Sequence, residues 1–181
     1  MPATPSTPSA AGALAALAGG DLLSSADLSP GQTSALLELA ADLKSGRRLI
    51  DLGGKVLGLI FSKASTRTRV SFTVAMARLG GQTIDLLPIV TQVGRGEPVA
   101  DTARVLSRYC DALAIRTFAQ TDLEAYAHWA SIPVINALTD LEHPCQALAD
   151  YLTLQEAFGS SPADLAGLTL AYVGDGNNVA H

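Results

Sequence analysis

Five short apolar runs, at residues 56–61, 82–87, 112–116, 132–136 and 168–173, alternate with stretches whose apolar residues recur at helical spacing, at 66–79, 99–109, 122–130 and 143–158. Strands that follow one another only through a helix cannot close as hairpins, so each lies parallel to a neighbour by way of a crossover. The pattern predicts an α/β fold, a parallel sheet flanked by helices. A further helix precedes the first strand. Ser29-Pro30 supplies a capping hydroxyl and a first-turn proline, Leu36, Leu37, Ala40 and Leu43 follow at helical spacing, and Gly46 ends the run.

In a parallel sheet the residues that do chemistry gather at the carboxyl ends of the strands. For the first four strands that rule collects residues 65–67, the loop 88–97, Arg116-Thr117 and the segment 137–146 at one edge. Arg67, Arg116, His143, Gln92 and Gln146 are therefore expected beside the helix start at Thr66. The run Ser65-Thr66-Arg67-Thr68-Arg69 comes directly after a strand and opens a helix. Unpaired backbone N–H groups, the positive helix end, three hydroxyls and two guanidiniums thus converge on one point, which binds an anion such as phosphate or carboxylate. The plainer alternative, a capped helix with solvated arginines, suits a lone Ser-Thr pair better than five consecutive polar residues. No paired carboxylates and no Ser-His-Asp arrangement fall at this edge, so the expected chemistry is anion binding and carbonyl polarisation rather than attack by an enzyme nucleophile.

Composition narrows the classes. With 181 residues, 48% hydrophobic and 16% charged, the chain can bury one substantial core and has material for the start of a second domain. A net charge of −5 and an isoelectric point near 5.0 leave no basic surplus for nucleic acid or an anionic membrane, so neither is an expected partner. Cys110 and Cys145 have neither metal-ligand spacing nor the number for a disulfide framework, and no apolar run reaches bilayer length. Residues 1–20 lack the Lys or Arg of a targeting peptide and read as a mobile tail with room for a short helix. The expectation is a cytoplasmic protein with no metal and no cofactor.

The motifs Ser65-Thr66-Arg67-Thr68-Arg69, Asp101-Thr102-Ala103-Arg104-Val105-Leu106, Arg116, His143-Pro144-Cys145-Gln146 and Gly174-Asp175-Gly176-Asn177-Asn178 resemble, in order and spacing, those of the aspartate/ornithine carbamoyltransferases. The likeness runs from Asp21 to His181, and its last motif resembles the ornithine branch. It implies that residues 21–158 are a carbamoyl-phosphate-binding domain. Residues 159–181 would be a linker and the start of an ornithine-binding domain, with 168–173 as its first strand. The chain is on that view the amino-terminal part of a longer enzyme and by itself inactive.

The resemblance also implies roles. Ser65, Thr66, Arg67 and Thr68 would hold the phosphate of carbamoyl phosphate, with Arg67 neutralising charge as phosphate leaves. Arg116 and His143 would polarise the carbonyl oxygen, and Gln146, with the backbone around Pro144 and Cys145, would receive the carbamoyl NH2 group. Gln92 would reach a neighbouring subunit's site, which implies a homotrimer or a multiple of it, and Asn178 would contact ornithine. The implied reaction moves the carbamoyl group to the side-chain amine of ornithine, giving citrulline and phosphate in arginine biosynthesis. Arg69 and Arg104 read as structural or solvated, Met76 and Trp129 as packing residues, and Cys145 as a small spacer of low reactivity. Two other readings stand beside this one: a carbamoyltransferase with a different acceptor (putrescine, aspartate or an acylated ornithine), and a non-catalytic anion- or dinucleotide-binding module. The latter draws on Gly174-x-Gly176 behind a strand, although Val179 occupies the third glycine position.

Overall fold

The computed structural model describes residues 9–87, 96–159 and 165–178. Strands β1 (Val56–Phe61), β2 (Gln82–Leu86), β3 (Ala112–Arg116) and β4 (Val134–Leu138) form one all-parallel sheet in the order β2-β1-β3-β4. Helices α1 (Ala10–Ala15) and α2 (Pro30–Ser45) precede it, and α3 (Arg67–Arg78), α4 (Val99–Leu106), α5 (Gln120–Trp129) and α6 (Pro144–Phe158) alternate with or follow the strands.

Strand alternation divides the core between the two faces. Leu57, Leu59 and Phe61 of β1 pack with Ala114 and Ala137, under Phe72 and Met76 of α3. Ile60, Leu113 and Ile115 point the other way and meet Ala103 of α4 with Leu123 and Tyr126 of α5. Gly58 belongs to this second face. A Cβ there would lie 2.8 Å from Leu113 Cδ2 and 3.2 Å from Cys110 Sγ, so glycine lets the neighbouring side chain close over β1. At the helix ends the expected chemistry is present. Ser29 and Gln32 form a capping box on α2, and Gly46 ends it at φ 75°.

Several boundaries differ from the sequence pattern. The helix expected to reach residue 109 stops at Leu106, and a turn bonded from Cys110 N to Leu106 O at 2.8 Å swings the chain into β3. The strand expected at 132–136 runs from Val134 to Leu138. Proline at 133 has no N–H to give a ladder, and the first amide after it is taken by Asp21 Oδ1 at 2.8 Å. Residues 168–173, expected as a strand, pair with no described strand. Leu170 and Val173 are 79% and 96% exposed, and without a neighbouring strand the apolar alternation has no ladder to join. At the outer edge of the sheet Leu22 bridges to Ile135 and gives β4 a short neighbour, with Leu22 N bonded to Val134 O and Asn136 N to Leu22 O.

Within the stretch expected as a tail, residues 10–15 form α1, whose Ala13 is buried and which packs against α2. Arg69 pairs with Asp85 at 2.9 Å and lies over Phe61, and Arg104 stacks on Trp129. Trp129 is thus a partly exposed platform for an arginine rather than a core residue, whereas Met76 packs against the sheet. Among the described residues no helix is long and apolar enough to cross a membrane.

Candidate functional site

β1 and β3 are neighbours in the sheet but are separated in sequence by β2, so the chain leaves their carboxyl ends in opposite directions. In an open parallel sheet that divergence makes a crevice. A cleft of about 1060 Å³ occupies it. Ser65, Thr66, Arg67 and Thr68 enter from the β1–α3 turn, Arg116 from the end of β3, and His143, Cys145 and Gln146 from the start of α6. Asn178 lines it from the far end of the chain. Nine of the expected site residues therefore share one cleft. Pro144 is fully buried behind it in the first turn of α6. Gln92 lies outside the described residues.

The local sequence accounts for each placement. Thr66 stands at the N-cap position of α3 with helical backbone angles, φ −89° and ψ −54°, and gives its first turn no side-chain hydrogen bond. The first-turn N–H groups stay available to a ligand, and the exposed Arg67 guanidinium stands beside them. Arg116 is on the last rung of β3, where its carbonyl accepts from Ser62 N at 2.9 Å. Its Nε is buried without a hydrogen-bond partner, and burial lowers its pKa from the ordinary value. His143 Nδ1 is likewise buried and unpartnered. Burial pushes the imidazole pKa below 6.5, the nearby Arg116 charge adds to this, and Asp150 opposes it, so the ring is neutral at pH 7.

The approach to His143 is held by polar groups that give no sequence signal of function. Between Ile115 and Arg116 the pairing with β4 shifts by one residue, so Arg116 faces Leu138 and Ala137 is extra. Leu138 is the one described non-glycine residue at positive φ, 144°, and it lines the cleft. A leucine persists in so rare a conformation only where its surroundings over-determine it, as at binding sites. Asn136, fully buried, does so by accepting from Leu138 N and donating to Leu23 O, each at 2.9 Å. Thr139 Oγ1 donates to Gln120 Oε1 at 2.8 Å, and the Glu142 carboxylate accepts from Ser25 N and Ser25 Oγ. Only Asp150 had a readable signal, since it stands four residues after Gln146 and seven after His143 on one helix face.

The cleft can therefore hold an anion at the α3 end and a polarised oxygen between Arg116 and His143. Cys145 makes no nucleophile: its thiol donates to Asn136 O at 3.5 Å, and burial pushes its pKa up to about 11. Asn178 Nδ2 donates to Thr139 O at 2.6 Å, which ties the last described residues to the β4–α6 loop. Among the described residues no group of three or more His, Cys, Asp or Glu could hold a metal ion.

The family profile described as aspartate/ornithine carbamoyltransferase, carbamoyl-P binding domain, matches residues 20–156. A protein named ornithine carbamoyltransferase from Parasynechococcus marenigrum is 74% identical over 168 residues, which cover 93% of this chain and 52% of that protein. The crystal structure of ornithine carbamoyltransferase from Gloeobacter violaceus superposes with a TM-score of 0.79 at 67% identity, covering 88% of this chain and 51% of that one. The enzyme of that name from Pyrococcus furiosus gives a TM-score of 0.81 at 49% identity, over 91% and 52%. The chain spans about half the length of the curated relatives it matches. It belongs to the aspartate/ornithine carbamoyltransferase family and carries that family's carbamoyl-phosphate-binding fold.

Proposed function

We propose that this member of the family binds carbamoyl phosphate in the β1/β3 cleft and, in the whole protein, transfers its carbamoyl group to the side-chain amine of ornithine, giving citrulline and phosphate. One observation carries the reading: Arg116 and His143, whose Nε and Nδ1 are buried without hydrogen-bond partners, line the same cleft as the uncapped start of α3. Stranded buried donors are costly unless a ligand completes them. Phosphate on the α3 N-terminus with Ser65, Thr66, Arg67 and Thr68 leaves the carbonyl oxygen at Arg116 and His143, and the carbamoyl NH2 at Gln146.

The acceptor amine attacks uncharged. As its nitrogen bonds to the carbonyl carbon, the oxygen gains charge, and Arg116 with a neutral His143 stabilises it. Collapse breaks the bond to the phosphate oxygen, the proton that the attacking nitrogen gives up leaves on the phosphate, and Arg67 meets the departing charge. Asn178 is assigned to ornithine, which its place at the cleft rim and the names of the relatives support. Residues 21–158 act in this reading as the carbamoyl-phosphate domain and 159–181 as linker and start of an ornithine domain. The assembly is a homotrimer or a multiple of it, with Gln92 delivered to a neighbouring site, in the cytoplasm and in arginine biosynthesis.

Calorimetric titration with carbamoyl phosphate tests the first half, and citrulline formation by the whole protein tests the second, with putrescine and aspartate as competing acceptors. Binding that His143→Ala or Arg116→Ala leaves unchanged would refute the site, and turnover of another amine in preference to ornithine would refute the acceptor.

A further inference from the structure

Asp150 is an acid in a cleft whose other charged lining groups are the cations Lys63, Arg67 and Arg116. It stands one turn beyond Gln146 on α6, and Gln146 Nε2 donates to its Oδ1 at 2.9 Å. A carboxylate only accepts hydrogen bonds, so the amide must turn its nitrogen toward Asp150. Its oxygen is then left for the cleft, and among the described residues nothing donates to it.

We propose that Asp150 is a positioning residue that sets the polarity of the Gln146 amide, so that the cleft presents an acceptor and selects a ligand with an N–H2 group on its carbonyl over one with a methyl there. The inference rests on the carbamoyl-phosphate reading above and adds to it the origin of the selection. An unrestrained glutamine turns either end of its amide to the cleft with similar ease. In the flipped state, NH2 would face NH2, and the ligand would lose a hydrogen bond and meet a like dipole. Neither Gln146 nor Asp150 is buried in the open cleft, so the restraint gains strength as a ligand excludes water from the pair. Any charge effect of Asp150 acts on the whole anion, whereas the amide's polarity acts on one substituent, and the two separate in a ratio of affinities.

The test uses three stable probes in calorimetric titrations: inorganic phosphate, phosphonoacetamide, and acetonylphosphonate, which replaces the amide NH2 of the second by methyl. The protein as it stands should prefer the amide over the ketone by roughly tenfold, the worth of one well-made hydrogen bond. Asp150→Glu, still acceptor-only, should retain the preference. Asp150→Asn, able to bond either end of the amide, should reduce it about twofold, and Asp150→Lys, a donor that calls the amide oxygen away, should abolish it. Gln146→Met should also abolish it, and adding Asp150→Lys to Gln146→Met should change the ratio no further. A preference that survives Asp150→Lys would overturn the proposal, as would one lost only in step with inorganic phosphate affinity. Failure of the unsubstituted protein to bind any of the three probes would instead refute the carbamoyl-phosphate reading.

Discussion

Replacing Asn136 by leucine tests whether the strained end of β4 is what aims the site. The residue is fully buried and its side chain makes two hydrogen bonds, to Leu23 O and from Leu138 N. Leu23 O also takes Gln120 Nε2 at 3.3 Å, so it keeps a partner, whereas Leu138 N loses the side-chain acceptor that holds it. A stranded buried N–H costs about 1–3 kcal/mol and the lost amide bond about 0.5–1.5 kcal/mol, while leucine fills nearly the same space. The sum, about 2–4 kcal/mol, lowers the melting temperature by roughly 5–15 °C for a chain of this size. Without the Asn136 oxygen, Leu138 is free to leave φ 144°, which shifts residues 139–142 and with them His143. Phosphate held by α3 should feel little of this. Carbamoyl phosphate should lose its advantage over inorganic phosphate, because in the proposed reading only its carbonyl uses His143. Thermal melts followed by circular dichroism and paired titrations measure both effects. A melting shift under 2 °C, or equal losses for the two ligands, would refute the reasoning.

Arg67 makes no hydrogen bond or ion pair among the described residues, so Arg67→Ala should leave the melting temperature within about a degree and weaken carbamoyl phosphate binding by about 10- to 150-fold, the worth of a charge-assisted contact. His143 has a folded pKa below its ordinary 6.5, so its neutral form contributes stability that is complete above pH 6.5 and lost as pH falls through the folded value. The melting temperature should therefore fall more steeply from pH 7 to pH 5 than that of His143→Gln, and parallel curves would contradict the assignment. Cys110 is buried, its thiol raised first by burial and then by Asp111, and should react with a disulfide reagent at pH 8 only as fast as the fold opens. The half-buried Cys145 at the cleft, its thiol pushed up to about 11, should react slowly because little of it is thiolate. Rapid release of one equivalent in native buffer would show otherwise.

The alternation of runs was enough to read the parallel sheet, because a strand buried on both faces is apolar along its length, as β1 is. The edge rule then found the residues that touch the cleft, since Arg116 and the Ser65-Thr66-Arg67-Thr68 turn stand where strands end. What escaped was support. Asn136, Thr139, Gln120 and Glu142 are polar residues whose partners are distant in sequence, and Glu142 meets Ser25 across 117 positions. No local pattern encodes such a pairing. The bulge at Ala137 also hid, because Leu138 sits in an apolar run that reads as ordinary strand. Residues 168–173 failed in the opposite sense, since their alternation is real but a strand exists only with a partner.

Half of the chain's basic residues are paired, and among the described residues outside the cleft Arg48, Arg78 and Arg108 are in no ion pair and stand at the surface. Lys44, Arg47, Lys55, Lys63, Arg69 and Arg104 each lie within 4 Å of a carboxylate, Glu156, Asp42, Asp111, Asp140, Asp85 and Asp101 in turn. Lys63 lines the cleft, yet its pairing with Asp140 at 3.1 Å and its place over the Phe118 ring draw it toward the rim. Arg67 and Arg116 line the same cleft with no such partner, and Arg116 is half-buried with its Nε stranded. In a chain of net charge −5 acidic partners are plentiful, so leaving these two guanidiniums unpaired forgoes stability at the place where an anion and a developing oxyanion would restore it. Pairing Arg116 with a carboxylate of its own would satisfy the fold and fill the position where the carbonyl oxygen must gain its charge. In the proposed reading the strain at Leu138, the unpartnered nitrogens of Arg116 and His143 and the open first turn of α3 are local costs that a bound carbamoyl phosphate would offset.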